Sequence, residues 1–291
     1  PQLDPLVAEL RADRDLKVAA QRMKHIFANR AETLVHGDLH TGAIMVTEDD
    51  TRVIDAEFSF YGPMSFDVGM LFANFWMAYF SQAGHEDEGS RDSMRAYLLD
   101  VLERCWSGFR TEFSRLWRNE RNGILYQKSL YEDQGDGLAS EQALNEVVHQ
   151  IWVELLGFAG IEIHRRILGL AHNADFELIA DRDLRARCEA KALKFGRQIT
   201  VSRAHIHSMS EANTLATLIE AGATIGTPGC GPCMGNHLGV PAPDEATIST
   251  GSRNFNGRMG TPNAPVYLAN PYVVAASAVA GCIVHPGEIL S

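Results

Sequence analysis

The sequence predicts a mostly helical part carrying one small β-hairpin over residues 1–199, followed by an α/β segment over residues 200–291. Apolar residues recur at the three-to-four spacing of an amphipathic helix through most of the first part. One stretch breaks that rhythm. Two short apolar runs, Ala43–Val46 and Thr51–Ile54, flank an acidic turn of hairpin length, Thr47–Asp50. Near residue 199 the composition changes: the last 92 residues hold 8 of the 63 charged side chains but 11 of the 25 glycines. Such a shift marks the meeting of two segments of different origin.

From the start of the chain, Leu6, Val7, Leu10, Leu16, Val18, Ala19, Met23, Ile26 and Phe27 predict one or two amphipathic helices over Leu6–Asn29. A polar loop, His36–Gly42, leads into the hairpin. Phe66–Phe80 predicts a buried helix, because Val68, Met70, Leu71, Phe72, Phe75, Trp76 and Tyr79 leave almost no polar face. Gly84–Ser90 reads as a polar loop, Asp92–Arg118 as a helix, and Asn119–Ser140 as a charged, glycine-containing loop. Gln142–Ala171 gives the longest periodic run and ends in His164-Arg165-Arg166. Paired arginines at the end of a buried helix are costly unless they meet anions. Asp175–Gln198 closes the first part as a helical segment.

In the second part, Ser208–Ala221 predicts a helix with Ser208 or Ser210 as N-cap and Gly222 at its stop. Ala223–Ile225 is a strand candidate, and Asn270-Pro271 opens a final helix. The expected arrangement is a short, mostly parallel sheet with helices.

The hairpin should return Asp55 and Glu57 towards the loop that holds Asp38, with His36 and His40 alongside. Three carboxylates would then converge, one to accept a proton from a substrate hydroxyl and two to hold magnesium on a triphosphate. Three linked blocks, HGDLHTG (His36–Gly42), ID-x-EF (Ile54–Phe58) and FYGPMSFDVG (Phe60–Gly69), resemble the kinase-like phosphotransferases, and more narrowly the S-methyl-5-thioribose kinase family. The resemblance implies a protein-kinase-like later lobe in which Asp38 is the base facing the sugar hydroxyl. It also implies that Asp55 and Glu57 hold Mg2+ and the ATP phosphates, and that Arg165 and Arg166, in RRILGLAH, join His40 in the substrate pocket. The pattern departs at Ala43, where the family carries serine, and at Ala56, where it carries proline. The 37 residues before Asp38 are too few for a five-stranded upstream lobe, and no glycine precedes Gly37 to build a phosphate-covering loop. The resemblance is therefore expected to cover the later lobe alone.

Cys230 and Cys233 stand in CxxC spacing and admit three readings: a thioredoxin-like redox pair, half of a zinc knuckle, or two ligands of an iron–sulfur cluster. Pro228-Gly229 and Gly235-Asn236 flank the pair with helix breakers, which disfavours the redox pair. Zinc lacks a second CxxC at the usual distance, although His237 is close. Thr227–Gly239, STGSRNFNGRMG (Ser249–Gly260) and the final helix resemble the large subunit of the aconitase family, particularly the 3-isopropylmalate and homoaconitate dehydratases. By that resemblance Cys230 and Cys233 are two of three ligands of a [4Fe–4S] cluster, while Arg253 and Arg258 bind substrate carboxylates. The third ligand belongs to an upstream segment of that family, so the cluster is expected to be incomplete within this chain.

A net charge of −11 argues against nucleic acid or an anionic membrane surface as partner. The apolar runs Gly69–Phe80 and Val273–Val284 are about 12 residues each, short of the ~20 needed to span a bilayer. The acidic, mixed start PQLDPLVAELRADRDLK does not read as a signal peptide. Five cysteines make no even disulfide framework and point to a reducing cytoplasm. The leading expectation is phosphorylation of S-methyl-5-thioribose, a step of methionine salvage. The alternatives are an iron–sulfur hydro-lyase fragment or an inactive fusion of two pieces. Small molecules are the expected partners, and apolar surfaces at orphan interfaces are expected to drive self-association.

Overall fold

The computed structural model describes residues 2–86, 89–226, 231–236 and 238–289. The helical periodicity of the first part becomes α1 (Asp4–Ala12), α2 (Arg14–Asn29), α3 (Ser65–Ser81), α4 (Asp92–Glu120), α5 (Gly137–Leu168), α6 (Ala174–Glu177) and α7 (Arg182–Val201). An eighth helix, α8 (Met209–Glu220), follows. Asp13 separates α1 from α2 and caps the latter, accepting from the Leu16 N–H at 2.9 Å. The expected hairpin forms between β2 (Ile44–Val46) and β3 (Thr51–Val53), with Ile44 opposite Val53 and Val46 opposite Thr51. The acidic turn closes it through Thr47 N–H to the Asp50 carbonyl at 2.8 Å. A second antiparallel pair, β1 (Thr33–Val35) with β4 (Phe60–Gly62), brackets the hairpin. Its central pair, Leu34 opposite Tyr61, is 62% and 68% exposed.

The core lies where α3, α5 and α7 pack on one another. Trp76, Phe80, Leu155, Leu156, Ala159 and Phe195 are fully buried there. α5 and α7 cross backbone to backbone at Gly160, where a Cβ would stand 2.0 Å from Thr200 Oγ1 and 2.4 Å from the Gly196 carbonyl oxygen. Glu154, buried on α5, accepts from Arg30 Nη1 at 2.5 Å and Ser65 Oγ at 3.0 Å. The chain before β1 and the start of α3 are thereby tied to the same helix.

Several boundaries differ from the sequence reading, and caps explain them. α5 starts inside the expected Asn119–Ser140 loop because Asp136 accepts from the Ala139 N–H at 3.0 Å. It stops before Ala171 because Gly169 closes it, donating to the Arg165 carbonyl at 2.9 Å. The single segment Asp175–Gln198 is split into α6 and α7, since Asp181 caps α7 through the Asp183 and Leu184 N–H groups. Of the two candidate caps for α8, Ser208 serves, accepting from the Glu211 N–H at 3.1 Å.

By contacts the chain divides into two compact units, Pro1–Ala223 and Thr224–Ser291. The compositional change near residue 199 falls within α7, and α8 belongs to the first unit. The second unit contains a parallel pair, β5 (Thr247–Ser249) with β6 (Val266–Leu268), in the register Ile248 to Tyr267. Its helix α9 (Pro271–Ala280) is capped by Asn270, which accepts from the Val273 N–H at 3.0 Å, and ends at Gly281 in the left-handed region. Residues 223–226 are not a strand, correcting that expectation; a short apolar run takes strand form only with a neighbour to pair with, and β5 pairs with β6. No helix among the described residues is long and apolar enough to cross a membrane.

Candidate functional site

β1 delivers the chain into His36–Asp38, and three contacts fix that loop. Gly37 stands at φ 88°, and a Cβ there would lie 2.1 Å from the Phe58 carbonyl oxygen, so the position admits only glycine. Asp67, in the first turn of α3, accepts from the backbone N–H groups of His36 at 2.5 Å and Gly37 at 3.1 Å. Burial pushes the Asp67 carboxyl up, while those two N–H bonds pull it down. His36 Nε2 lies 2.8 Å from the Ile54 carbonyl oxygen, an acceptor only, so Nε2 carries the hydrogen. Its Nδ1 then accepts from the Asp38 N–H at 3.4 Å. The imidazole thus links the loop to the exit of the hairpin.

The Asp38 side chain meets the end of α5. Arg166 Nη2 donates to Asp38 Oδ1 at 3.2 Å, Arg165 Nη2 lies 3.9 Å from the same oxygen, and His40 Nε2 lies 3.8 Å from Oδ2. Behind both arginines is Glu162, 2% exposed at its side chain. Its Oε2 accepts from Arg165 Nε at 2.6 Å, and its Oε1 accepts from Arg165 Nη2 at 2.9 Å and Arg166 Nε at 2.7 Å. Those bonds push the Arg165 guanidinium further up. The paired arginines therefore do meet anions: Asp38 on one side and Glu162 on the other.

Asp55 and Glu57 are placed differently from the sequence expectation. Asp55 sits in the left-handed region at φ 68°, and Glu57 follows in a single 3-10 turn, Ala56–Phe58. Both are exposed. Among the described residues, no three His, Cys, Asp or Glu side chains form a group that could hold a metal ion. Asp38, Asp55 and Glu57 therefore do not make a three-ligand metal group, and Asp38 pairs with Arg166. A magnesium–nucleotide site makes a smaller demand. Magnesium keeps several waters and takes one or two carboxylates plus substrate phosphates. Asp55 and Glu57, hard oxygen donors open to solvent, fit that requirement.

A cleft of about 760 Å³ opens beside Asp38. Met23, Phe27, Phe58, Phe60, Phe66, Met70 and Phe158 form its apolar wall, and Lys24, Asp38, Glu162 and Arg165 its polar lining. The rings interlock, with Phe27–Phe60 at 5.2 Å, Phe27–Phe66 at 5.0 Å and Phe66–Phe158 at 5.3 Å between centroids.

In the second unit, Cys233 lies half-buried in the turn Pro232–Met234, while Cys230 and His237 lie outside the described residues. Arg253 is exposed, and Arg258 stacks 5.4 Å from the centre of the Phe255 ring. Cluster iron needs three or four thiolates. In the first unit, burial pushes the Cys105 thiol up and the Cys188 thiol to about 11, which keeps both protonated at neutral pH. Cys282 is exposed. Of the two expected cluster ligands, the described residues therefore include Cys233 alone.

The Asp38 loop and the hairpin behind it lie in a region with known relatives. Residues 1–99 match a model of the phosphotransferase enzyme family, and residues 197–281 match the aconitase family (aconitate hydratase). More particularly, the chain is 40% identical to methylthioribose kinase 1 of Oryza sativa subsp. japonica over 215 residues, 72% of this chain and 49% of that protein. It is 39% identical to the methylthioribose kinase of Escherichia coli O45:K1 (strain S88 / ExPEC), covering 72% of this chain and 50% of the relative. The methylthioribose kinase of Geobacillus thermodenitrificans (strain NG80-2) is 36% identical, with 70% and 46% covered. The chain spans about half the length of the curated relatives it matches. It thus joins a region similar to the methylthioribose kinases to a segment that matches the aconitase family model.

Asp67 and Glu162 hold this arrangement together, and sequence reasoning left both unassigned. Asp67 lies within the quoted FYGPMSFDVG block, and Glu162 stands three and four residues before the arginines, the spacing of a helical ion pair. Both signals were present in the sequence.

Proposed function

We propose that the kinase-like region transfers the γ-phosphoryl group of ATP to a hydroxyl of S-methyl-5-thioribose. One observation carries this reading: Asp38 is fixed between an Asp67-anchored loop and Arg166, in a cleft lined largely by apolar side chains. A carboxylate so placed can accept the proton of a sugar hydroxyl. Arg165 and Arg166 supply guanidinium donors for the charge that develops on the transferred group. His40 borders the same carboxylate, its Nε2 3.8 Å from Asp38 Oδ2. The phenylalanine wall suits a methylthio substituent, because thioether sulfur packs well at aromatic ring edges. Asp55 and Glu57 would hold Mg2+, which when bound neutralises charge on the ATP phosphates.

The test is phosphoryl transfer by the full chain with ATP, magnesium and S-methyl-5-thioribose, read as ADP and sugar phosphate formed. Asp38→Asn is expected to lower kcat by about 10²–10⁴-fold, the usual worth of a positioned general base. Turnover that survives Asp38→Asn unchanged, or a wild-type chain inert towards the sugar, would sink the assignment. If ATP and metal titrations also stay flat, an inactive fusion is what remains.

A second reading, a hydro-lyase fragment, draws on the aconitase-family match alone. Its check is iron and acid-labile sulfide per chain, expected near zero for the isolated protein. The free thiols of Cys105, Cys188, Cys233 and Cys282 support a reducing, cytoplasmic setting. Exposed Leu34, Tyr61, Val46 and Val53 support self-association.

A further inference from the structure

Two arginines and two carboxylates meet at the cleft, yet the four groups are not equivalent. Asp38 and Arg165 are 33% and 46% exposed at their side chains, and Arg166 is 15% exposed. Glu162 is 2% exposed, too deep for one of its oxygens to move without stranding a buried charge. Both of its oxygens are occupied, and each guanidinium offers its Nε–H to it. An Nε–H bond fixes the plane of a guanidinium. Arg165 donates to Glu162 through both Nε and Nη2, whereas Arg166 donates Nε alone, which leaves Arg166 Nη2 free to reach Asp38. Without Glu162, two cations at adjacent positions would repel each other and compete for Asp38.

From this geometry we infer that Glu162 is a positioning residue for the acceptor-sugar site. It orients both guanidinia and offsets one of their two charges, leaving Asp38 a single close arginine partner. The inference rests on the phosphotransferase reading for its ligand, but the orientation of the arginines can be measured without turnover.

The experiment uses the full chain labelled with nitrogen-15. Wild-type protein is expected to show two arginine Nε–H resonances resistant to solvent exchange, assigned to Arg165 and Arg166 through Arg165→Lys and Arg166→Lys. Both are expected to merge into the rapidly exchanging signals in Glu162→Gln. Titration with S-methyl-5-thioribose should bind at least tenfold more weakly to Glu162→Gln, with Glu162→Asp recovering part of the loss and ATP affinity the same in all three. Protected resonances that persist in Glu162→Gln, or sugar affinity that does not change, overturn the positioning role. Loss of those resonances in Glu162→Gln alongside a wild-type chain that binds no sugar upholds the role and refutes the kinase reading instead. Should Glu162→Gln not fold, Glu162→Asp decides: a shortened carboxylate that keeps both resonances and full sugar affinity overturns the proposal.

Discussion

At the scale of single residues, the loop around Asp38 depends on a position that has no room for a side chain. Gly37 combines φ 88° with a 2.1 Å approach of any added Cβ to the Phe58 carbonyl oxygen. That oxygen belongs to backbone, so it cannot swing aside as a side-chain tip would. Gly37→Ala therefore has to strain its own backbone and push Phe58 away, a cost on the order of 1–3 kcal/mol. The same displacement would loosen the Gly37 N–H bond to Asp67. We expect a lower thermal midpoint together with a loss of phosphoryl transfer larger than the stability change explains. Equal midpoints for wild type and Gly37→Ala would remove this constraint. Asp38, Arg165 and Arg166 were legible as candidates because motif and helix end announced them. Their arrangement was not, since the Arg166–Asp38 bond closes over 128 positions of sequence.

At the scale of elements, helix existence was legible from apolar periodicity, whereas helix starts were set by single capping side chains such as Asp136 and Asp181. The crossing of α5 and α7 was not legible, because a glycine in a helical run is equally compatible with a loose or a close contact. That crossing holds a titratable group. His164 Nδ1 lies 2.7 Å from the Gly160 carbonyl oxygen, which requires Nδ1–H, and its Nε2 is buried without a partner among the described residues. Burial holds the His164 imidazole below its ordinary value. The folded chain therefore takes up this proton less readily than the unfolded chain does. Stability from this group is complete above the unfolded value of about 6.5 and is lost as pH falls below it towards the lowered folded value. Each pH unit in which only the unfolded chain is protonated removes about 1.4 kcal/mol. Urea unfolding at pH 7.5 and pH 5.0 should show a drop for wild type that shrinks in His164→Gln. Identical drops in the two proteins would assign the acid sensitivity elsewhere.

At the scale of the whole molecule, the two regions of homology do not coincide with the two compact units. The aconitase-family match begins at residue 197, but the first unit continues to Ala223. The stretch between them is built into the helical core. Met209, Ala212, Ala216 and Ile219 of α8 are buried. Asn213 accepts from Trp76 Nε1 at 3.2 Å and donates to the Leu99 carbonyl at 3.1 Å, and the Ile206 carbonyl accepts from Trp152 Nε1 at 2.6 Å. The fall in charge near residue 199 was visible in the sequence, and it records a change of composition, not the edge of a folding unit. A chain cut after residue 199 would remove the acceptors of two indole N–H groups, at about 0.5–1.5 kcal/mol each where water takes their place. It would also uncover apolar surface, at about 1.5–3 kcal/mol for each large side chain no longer covered. Against a typical total of about 5–15 kcal/mol, that loss abolishes cooperative folding. The comparison is between residues 1–199 and residues 1–223, followed by tryptophan fluorescence and near-ultraviolet circular dichroism during urea unfolding. We expect a sharp transition for the longer chain and none for the shorter. A shorter chain that unfolds cooperatively at the same midpoint would show that α8 only decorates the kinase-like core.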